Sequence, residues 1–330
     1  MATTYYVDPT ATGDDDGTTA EHAWSTLQRA IDGTDGTQPT AGDTILCYAN
    51  GSTADETITA TIDIDGDEGT AIAFINIVGV NSSGVEDGTR YIVEGDSGTI
   101  PVNILLVANK DYMEFRNFDL SGASGSGMDF TSTCSYINLK NIKSDDNGVY
   151  GFDLQYAYYA KIDCCVANNN DDSGFYYNST GSSLTFCVAN DNGANGYLVY
   201  GPMAIYGCIA HGNTAKGLYG PGIGGSVINC VFDGNATGVE AYKERTLYIG
   251  NRFTNNTNDG FDHNLKHLMY GYNYFHNNDT DEKDVAISSL DLGGSEEDTG
   301  ADDGYNNVAA EDFNLKTTAS LRDIEITLPE

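Results

Sequence analysis

The sequence predicts an all-β protein, a parallel β-solenoid of about 22 residues per coil. Two repeating columns and one repeating punctuation mark predict it. Asn117, Asn141, Cys165, Cys187, Cys208, Cys230, Asn251 and Asn273 follow one another at spacings of 24, 24, 22, 21, 22, 21 and 22 residues. Five residues further on, Gly122, Asp146, Asn170, Asn192, Asn213, Asn235, Asn256 and Asn278 keep the same phase. A Gly followed by an apolar or aromatic residue then closes each period, as in Gly151-Phe152, Gly174-Phe175, Gly196-Tyr197 and Gly217-Leu218. Three short strands and three turns fill such a period.

Neighbouring coils of a solenoid lie about 4.8 Å apart, so equivalent residues sit above one another. Asn amides stacked in a turn can bond to the Asn above and below. The Cys column reads as small buried fillers with free thiols. Its inward or outward phase stays open, because each turn resets the alternation. At the N-terminus, Trp24, Leu27, Ala30 and Ile31 fit one apolar helical face. A short helix there would cap the first coil, as an open solenoid end requires. The chain divides as a single domain, 1–330: cap and first strand (1–50), irregular early coils (51–111), regular coils (112–285), then an acidic loop and closing segment (286–330). Ile72 to Val80 reads as the clearest strand pair of the early coils.

Composition narrows the function. With 49 acidic against 15 basic residues the formal charge is −34. A phosphate backbone needs Lys and Arg to displace its counterions, so nucleic-acid binding is excluded as a role. No apolar run reaches the length of a membrane-spanning helix, so no membrane insertion is expected. The opening residues lack a basic stretch and an apolar stretch, the marks of a secretory signal. Seven Cys, an odd number, argue against a complete set of disulfides.

On these motifs the chain resembles the right-handed parallel β-helix, or pectate-lyase-like, superfamily. Tyr5-Tyr6-Val7-Asp8-Pro9, Gly13 to Gly17, Trp24 to Ile31 and Ala41-Gly42-Asp43-Thr44-Ile45 look like the usual start of its members. Glu311-Asp312-Phe313-Asn314-Leu315 is similar to their closing segments. The resemblance implies the fold and leaves the activity open.

Candidate chemistry lies on outward columns. Two residues past each Gly come Asp153, Tyr176, Leu198, Tyr219, Glu240 and Asp262; four past come Gln155, Asn178, Tyr200, Pro221, Tyr242 and Asn264. Tyr176, Tyr200, Tyr219 and Tyr242 beside acids suit sugar rings and their polar edges, although exposed strands carry Tyr without any ligand. Glu240 and Asp262, one coil apart, would serve as the acid/base pair of a glycosidase, with Asp153 as a third choice; in so acidic a chain carboxyls also fall adjacent by accident. Lys243, Arg245, His263, Lys266 and His267 form the only basic concentration. In polyuronate lyases of the superfamily an Arg with Ca²⁺ neutralises the substrate, which makes Arg245 the residue to watch; otherwise the cluster is a salt-bridged surface patch. No cofactor is expected. Ca²⁺ at Asp14-Asp15-Asp16 or at Asp298 to Asp303 stays open, though neither has an EF-hand spacing.

Secreted β-helix enzymes normally begin with a signal, and superfamily members without one are commonly phage virion proteins. The expected role is therefore a virion surface or structural protein, such as a tailspike, fibre or capsid decoration, assembled in the host cytoplasm. Its expected partners are other virion proteins or itself as a homotrimer, through a face that includes Tyr176, Leu198 and Tyr219, with a glycan as candidate ligand. The alternative is an extracellular glycoside hydrolase or polysaccharide lyase.

Overall fold

The computed structural model describes residues 2–33, 38–51, 54–220, 224–242, 246–263 and 269–283, together with the short strands Leu290–Asp291, Glu296–Asp298, Tyr305–Asn307 and Asp312–Leu315. The chain winds as a parallel β-helix with three strand faces. The first face runs from Thr4–Val7 and Thr44–Tyr48 up to Thr246–Ile249 and Met269–Gly271. The second runs from Glu56–Ile58 and Tyr91–Gly95 to Arg252–Thr254 and Tyr274–His276. The third, a separate sheet of ten strands, runs from Ile62–Ile64 and Leu105–Ala108 to Asp259–His263 and Thr280–Lys283. Met113–Ser121 and Asn138–Asp145 pass through the first two faces without a break. The registered pairs Phe152↔Phe175, Phe175↔Tyr197 and Tyr197↔Leu218 are 23, 22 and 21 residues apart, so the coil length read from the repeat holds.

The interior is a set of stacked side chains, since alternate residues of each strand point inward. Phe152, Phe175 and Tyr197 stack nearly parallel at 4.8 and 5.2 Å between ring centres. Phe232, Phe253 and Phe275 do the same at 5.5 and 4.9 Å. The lower end is closed by Leu27–Asp32, a single helical turn and a half. Thr26 caps it by accepting the Arg29 N–H, and Leu27, Ala30 and Ile31 are buried against the first coils. Trp24 is fully buried and stacks on Tyr5 at 5.2 Å. In the early coils Ile75–Val80 forms one strand; Ile72 lies before it and is almost wholly exposed, because the chain first makes a tight Thr70–Ala73 bridge.

The turn from the second face to the third carries the Asn ladder. Asn147, Asn170, Asn192, Asn213, Asn235, Asn256 and Asn278 stack, each Nδ2 donating to the Oδ1 of the next at 2.8–3.4 Å. Each Oδ1 also accepts the backbone N–H of the Asn below, as Asn213 Oδ1 does from Asn192 at 3.1 Å. Each Nδ2 from Asn170 upward gives its second proton to a backbone carbonyl, as Asn213 does to Ala189 at 3.0 Å. Every hydrogen-bonding capacity of such an amide is used.

The ladder begins one residue later than the sequence predicts. Asn147, not Asp146, is its first member, and Ala123 takes the position expected for Gly122. The slip has a conformational cause. Asp146, Asn169, Asp191, Gly212, Gly234, Asn255 and Asn277 form the column immediately before the ladder, all with φ between 50° and 64°. That left-handed region favours Asn, Asp and Gly, the residue types that mark the ladder itself. The Cys column slips in the same way. Phe118 and Ile142 stand below Cys165, Cys187, Cys208 and Cys230, whereas Asn117 and Asn141 occupy the left-handed position before them.

All seven thiols are free, and the stacked ones point inward. Cys187, Cys208 and Cys230 donate to the carbonyls of Ile162, Leu184 and Ile205 at 3.5–3.8 Å. Asn251 and Asn273, next in the column, donate to Val227 and Tyr248, the equivalent carbonyls of the coil below each. The thiol thus stands in for an amide. Burial pushes the Cys187 and Cys230 thiols well above their ordinary range, which keeps them protonated as donors.

The Gly column follows from the ladder. A Cβ on Gly196 would lie 2.8 Å from the Gly217 carbonyl and 3.0 Å from Asn213 Nδ2. One on Gly217 would lie 2.6 Å from the Gly238 carbonyl and 3.0 Å from Asn235 Nδ2. Glycine is there because the next coil already fills the space. Two predictions follow from this packing. Asn213→Leu orphans buried groups on both sides and should cost about 1–3 kcal/mol in denaturant unfolding. Without reductant, unfolded protein should titrate seven thiols, and native protein only Cys164, the single exposed one.

Candidate functional site

The residue after each Gly is buried, so the next one points outward, as the alternation requires. On the third face the strands Met128–Thr131, Phe152–Leu154, Phe175–Tyr177, Tyr197–Val199, Lys216–Gly220, Thr237–Ala241 and Asp259–His263 place Asp129, Asp153, Tyr176, Leu198, Tyr219, Glu240 and Asp262 in one registered column. The column expected from the sequence is therefore present, and it extends one coil lower, to Asp129.

Aromatic rings flank the column in two places. Tyr200 meets Tyr176 edge to face at 6.0 Å and 84°, and Tyr242 meets Tyr219 at 6.0 Å and 86°. Tyr200 and Tyr242 are exposed at the rim, and Tyr176 and Tyr219 are half-buried beneath them. Tyr150, which the sequence does not single out, lies 5.0 Å from Tyr176 on the other side. Burial, with Asp172 and Asp153 nearby, pushes its phenol to about 12.

The acids differ by environment. Glu240 Oε2 is held by Lys216 Nζ at 3.0 Å, and the same ammonium lies 4.4 Å above the Tyr219 ring. Tyr242 donates to Glu240, and that bond, with burial, raises its phenol to about 12. Asp262 follows Glu240 in register, and both line an open groove of about 440 Å³ with Thr214, Lys216, Thr237 and Asn258. Of the expected basic cluster, Lys243, Arg245, Lys266 and His267 lie outside the described residues. His263 does not belong to that surface, because three residues past Gly260 is an inward position and its ring is fully buried at 4.6 Å from Phe261.

Asp129 and Asp153 stack one coil apart, and no ion pair reaches either one among the described residues. Asp129 accepts Asn103 Nδ2 at 2.9 Å, and Asp153 accepts the Gln155 backbone N–H at 3.1 Å. Burial raises both carboxyls, Asp153 to about 6 with Asp129 adding its charge. Asp153, the third choice from sequence, is therefore an acid on this face raised above the ordinary carboxylate range. Gly127-Met128 repeats the Gly-apolar signal and would have located Asp129; nothing periodic marks Tyr150 or Lys216.

At the other acidic stretch expected to interest a cation, the carboxylates are engaged internally. Asp15 pairs with Arg29 at 2.9 Å, and Asp16 accepts the Thr18 N–H and hydroxyl. Asp298 to Asp303 contribute no described side chain. Among the described residues no three His, Cys, Asp or Glu side chains converge to hold a metal ion, and no helix is long and apolar enough to cross a membrane.

This architecture is shared. Crystallised pectate lyase Pel9A superposes with a TM-score of 0.69 over 97% of this chain and 91% of its own, at 14% identity. A rhamnogalacturonan lyase superposes with 0.68 over 97% and 98%, also at 14%. The fold is the pectate-lyase-like parallel β-helix. At such identity the likeness concerns the fold alone. No protein-family model matches the sequence, and no curated protein does.

The Asp153 environment predicts a pH signature. A carboxyl raised in the folded state favours the protonated fold, so stability falls as pH rises from the ordinary carboxylate range through about 6. Asp153→Asn should unfold at a higher temperature than the parent at pH 7, and the gain should vanish below about pH 4, near the unfolded Asp value.

Proposed function

We propose that this protein is a glycan-binding β-helix that holds a polysaccharide along its third face. One observation carries the reading: two edge-to-face tyrosine pairs of the same geometry, Tyr176–Tyr200 and Tyr219–Tyr242, recur two coils apart on one straight column. Two coils span about 10 Å, comparable to a disaccharide, so successive sugars could rest on successive pairs. Asp153, Glu240 and Asp262 supply polar edges beside them. The two superposable proteins are named for pectate and rhamnogalacturonan, which is in keeping with a glycan ligand.

The setting in this proposal is a phage-type virion surface, with self-association as a trimer or attachment to another virion protein. Its support is the acidic surface and the tying of Glu240 to Lys216, an ion pair that engages one member of the expected acid/base pair. A second reading, a polysaccharide-degrading enzyme, is favoured by Asp129 and Asp153. Carboxyls on adjacent coils, one of them titrating near neutrality, have the arrangement a retaining hydrolase uses.

A polysaccharide panel separates the two. Binding by calorimetry without new reducing ends or unsaturated uronates is the expected result. Tyr176→Ala should weaken that binding about tenfold, in line with the loss of one aromatic contact. Hydrolysis lost in Asp153→Asn would establish the enzyme instead. Absence of binding to any glycan, with Tyr176→Ala silent, would remove the glycan reading.

A further inference from the structure

The two tyrosine pairs differ in one respect, the presence of an ammonium group. At the upper pair the protein supplies its own. Lys216 Nζ lies over the Tyr219 ring at 4.4 Å and against Glu240, in the next coil, at 3.0 Å. The ring face and the carboxylate together satisfy one cation.

The lower pair has the same two groups with their coils exchanged, Asp153 below and Tyr176 above in register. The position of Lys216, two residues before the registered interior residue, is held by Tyr150 on the coil of Asp153 and by Ser173 on the coil of Tyr176. No described cation enters. Asp153 is left beside Tyr150 and Tyr176, with Asp129 one coil below it, and among the described residues the Asn103 amide and the Gln155 N–H are the donors to the two carboxylates. Two half-buried carboxylates without a counter-charge, bordered by aromatic faces, form a site that lacks a cation.

Building on the glycan reading, we infer that the Asp129–Asp153–Tyr150–Tyr176 site takes the protonated amine of an amino sugar, so that the preferred ligand is a glycan with free amino groups rather than a polyuronate. The ammonium would replace the missing Lys: its charge against Asp153, its protons on the carboxylate oxygens, its face contact on Tyr150 or Tyr176. A uronate would bring a third carboxylate to a place where two already stack on adjacent coils, at a cost of desolvation and repulsion. An N-acetylated sugar keeps the stacking surface and loses the charge.

The probes are a glucosamine oligosaccharide, its fully N-acetylated counterpart and an oligogalacturonate of equal length, titrated by calorimetry at neutral pH and physiological salt. The glucosamine oligomer should bind about tenfold more tightly than the acetylated one, the size of a cation–aromatic contact with one ion pair. Asp153→Asn should abolish that preference and leave the acetylated oligomer unaffected. Tyr150→Lys should block the amine as well, because it returns the ammonium internally, as Lys216 does above. Asp14→Asn, the same loss of one charge at a distant exposed site, should change nothing. If Asp14→Asn weakens the amine as much as Asp153→Asn does, the attraction is the general acidity of the surface and the inference fails. Equal or tighter binding of the acetylated or uronate oligomer also overturns it, while leaving the glycan face standing if Tyr176→Ala still weakens that binding. Thermal unfolding of each variant identifies any that misfold, and the two charge-altering variants of the site give independent tests.

Discussion

The buried amide ladder at the second turn is the interaction on which the rest of the molecule depends. An Asn side chain has two protons to give and two lone pairs to fill, and along Asn170 to Asn256 all four are matched. The oxygen accepts a side-chain and a backbone N–H from the coil below; the nitrogen serves a carbonyl and the next amide above. Low local polarity makes each bond stronger and each vacancy costlier. The ladder fixes the angle at which the chain leaves the second face, and its next amide fills the space where a Cβ on the glycine that opens the third face would lie. Glycine there, an inward aromatic next, and an outward side chain after that are successive consequences. The candidate site is the third of them.

The first turn solves the same problem more loosely. A thiol gives a single, weaker donor, yet the carbonyls it meets are those met by Asn251 and Asn273 in the later coils. That column therefore accepts either chemistry, and Phe118 and Ile142 below show that it accepts neither donor when apolar contact alone fills the space. The second turn keeps Asn from Asn147 to Asn278 because its oxygen also holds a backbone N–H, a duty that sulfur does not perform here.

Much of this was legible in the sequence, since stacked coils repeat their residues and the repeat reveals the stacking. The coil length, the inward phase after each glycine, and the outward column holding Tyr176, Tyr219, Glu240 and Asp262 could all be counted along the chain. Asn117, Asn141 and Asp146 misled by one residue, because a left-handed turn position selects the same residue types as a hydrogen-bonded ladder. His263 was countable as inward and was grouped instead by its charge. What no counting could provide was environment. Asp153 and Glu240 occupy the same column, but one is desolvated without a counter-ion and the other is met by Lys216, and this depends on Tyr150 and Lys216, which share a position but no chemistry. The two turns also differ in strictness for a reason visible only in which backbone groups each side chain reaches.

The coil of Leu198 seats Tyr200, the upper ring of the lower tyrosine pair, yet adds no aromatic or charged group to the outward column itself. In a solenoid each coil contributes one strand spacing, about 4.8 Å, along the axis, so the separation of the pairs is a whole number of coils and changes only in such steps. An extra coil between Leu198 and Tyr219 would shift Tyr219 relative to Tyr176 by a fixed increment while leaving the ladder, the glycine column and both pairs intact in themselves. The Leu198 coil is in that sense a gauge block that serves twice, seating Tyr200 for the lower contact and setting the step up to Tyr219.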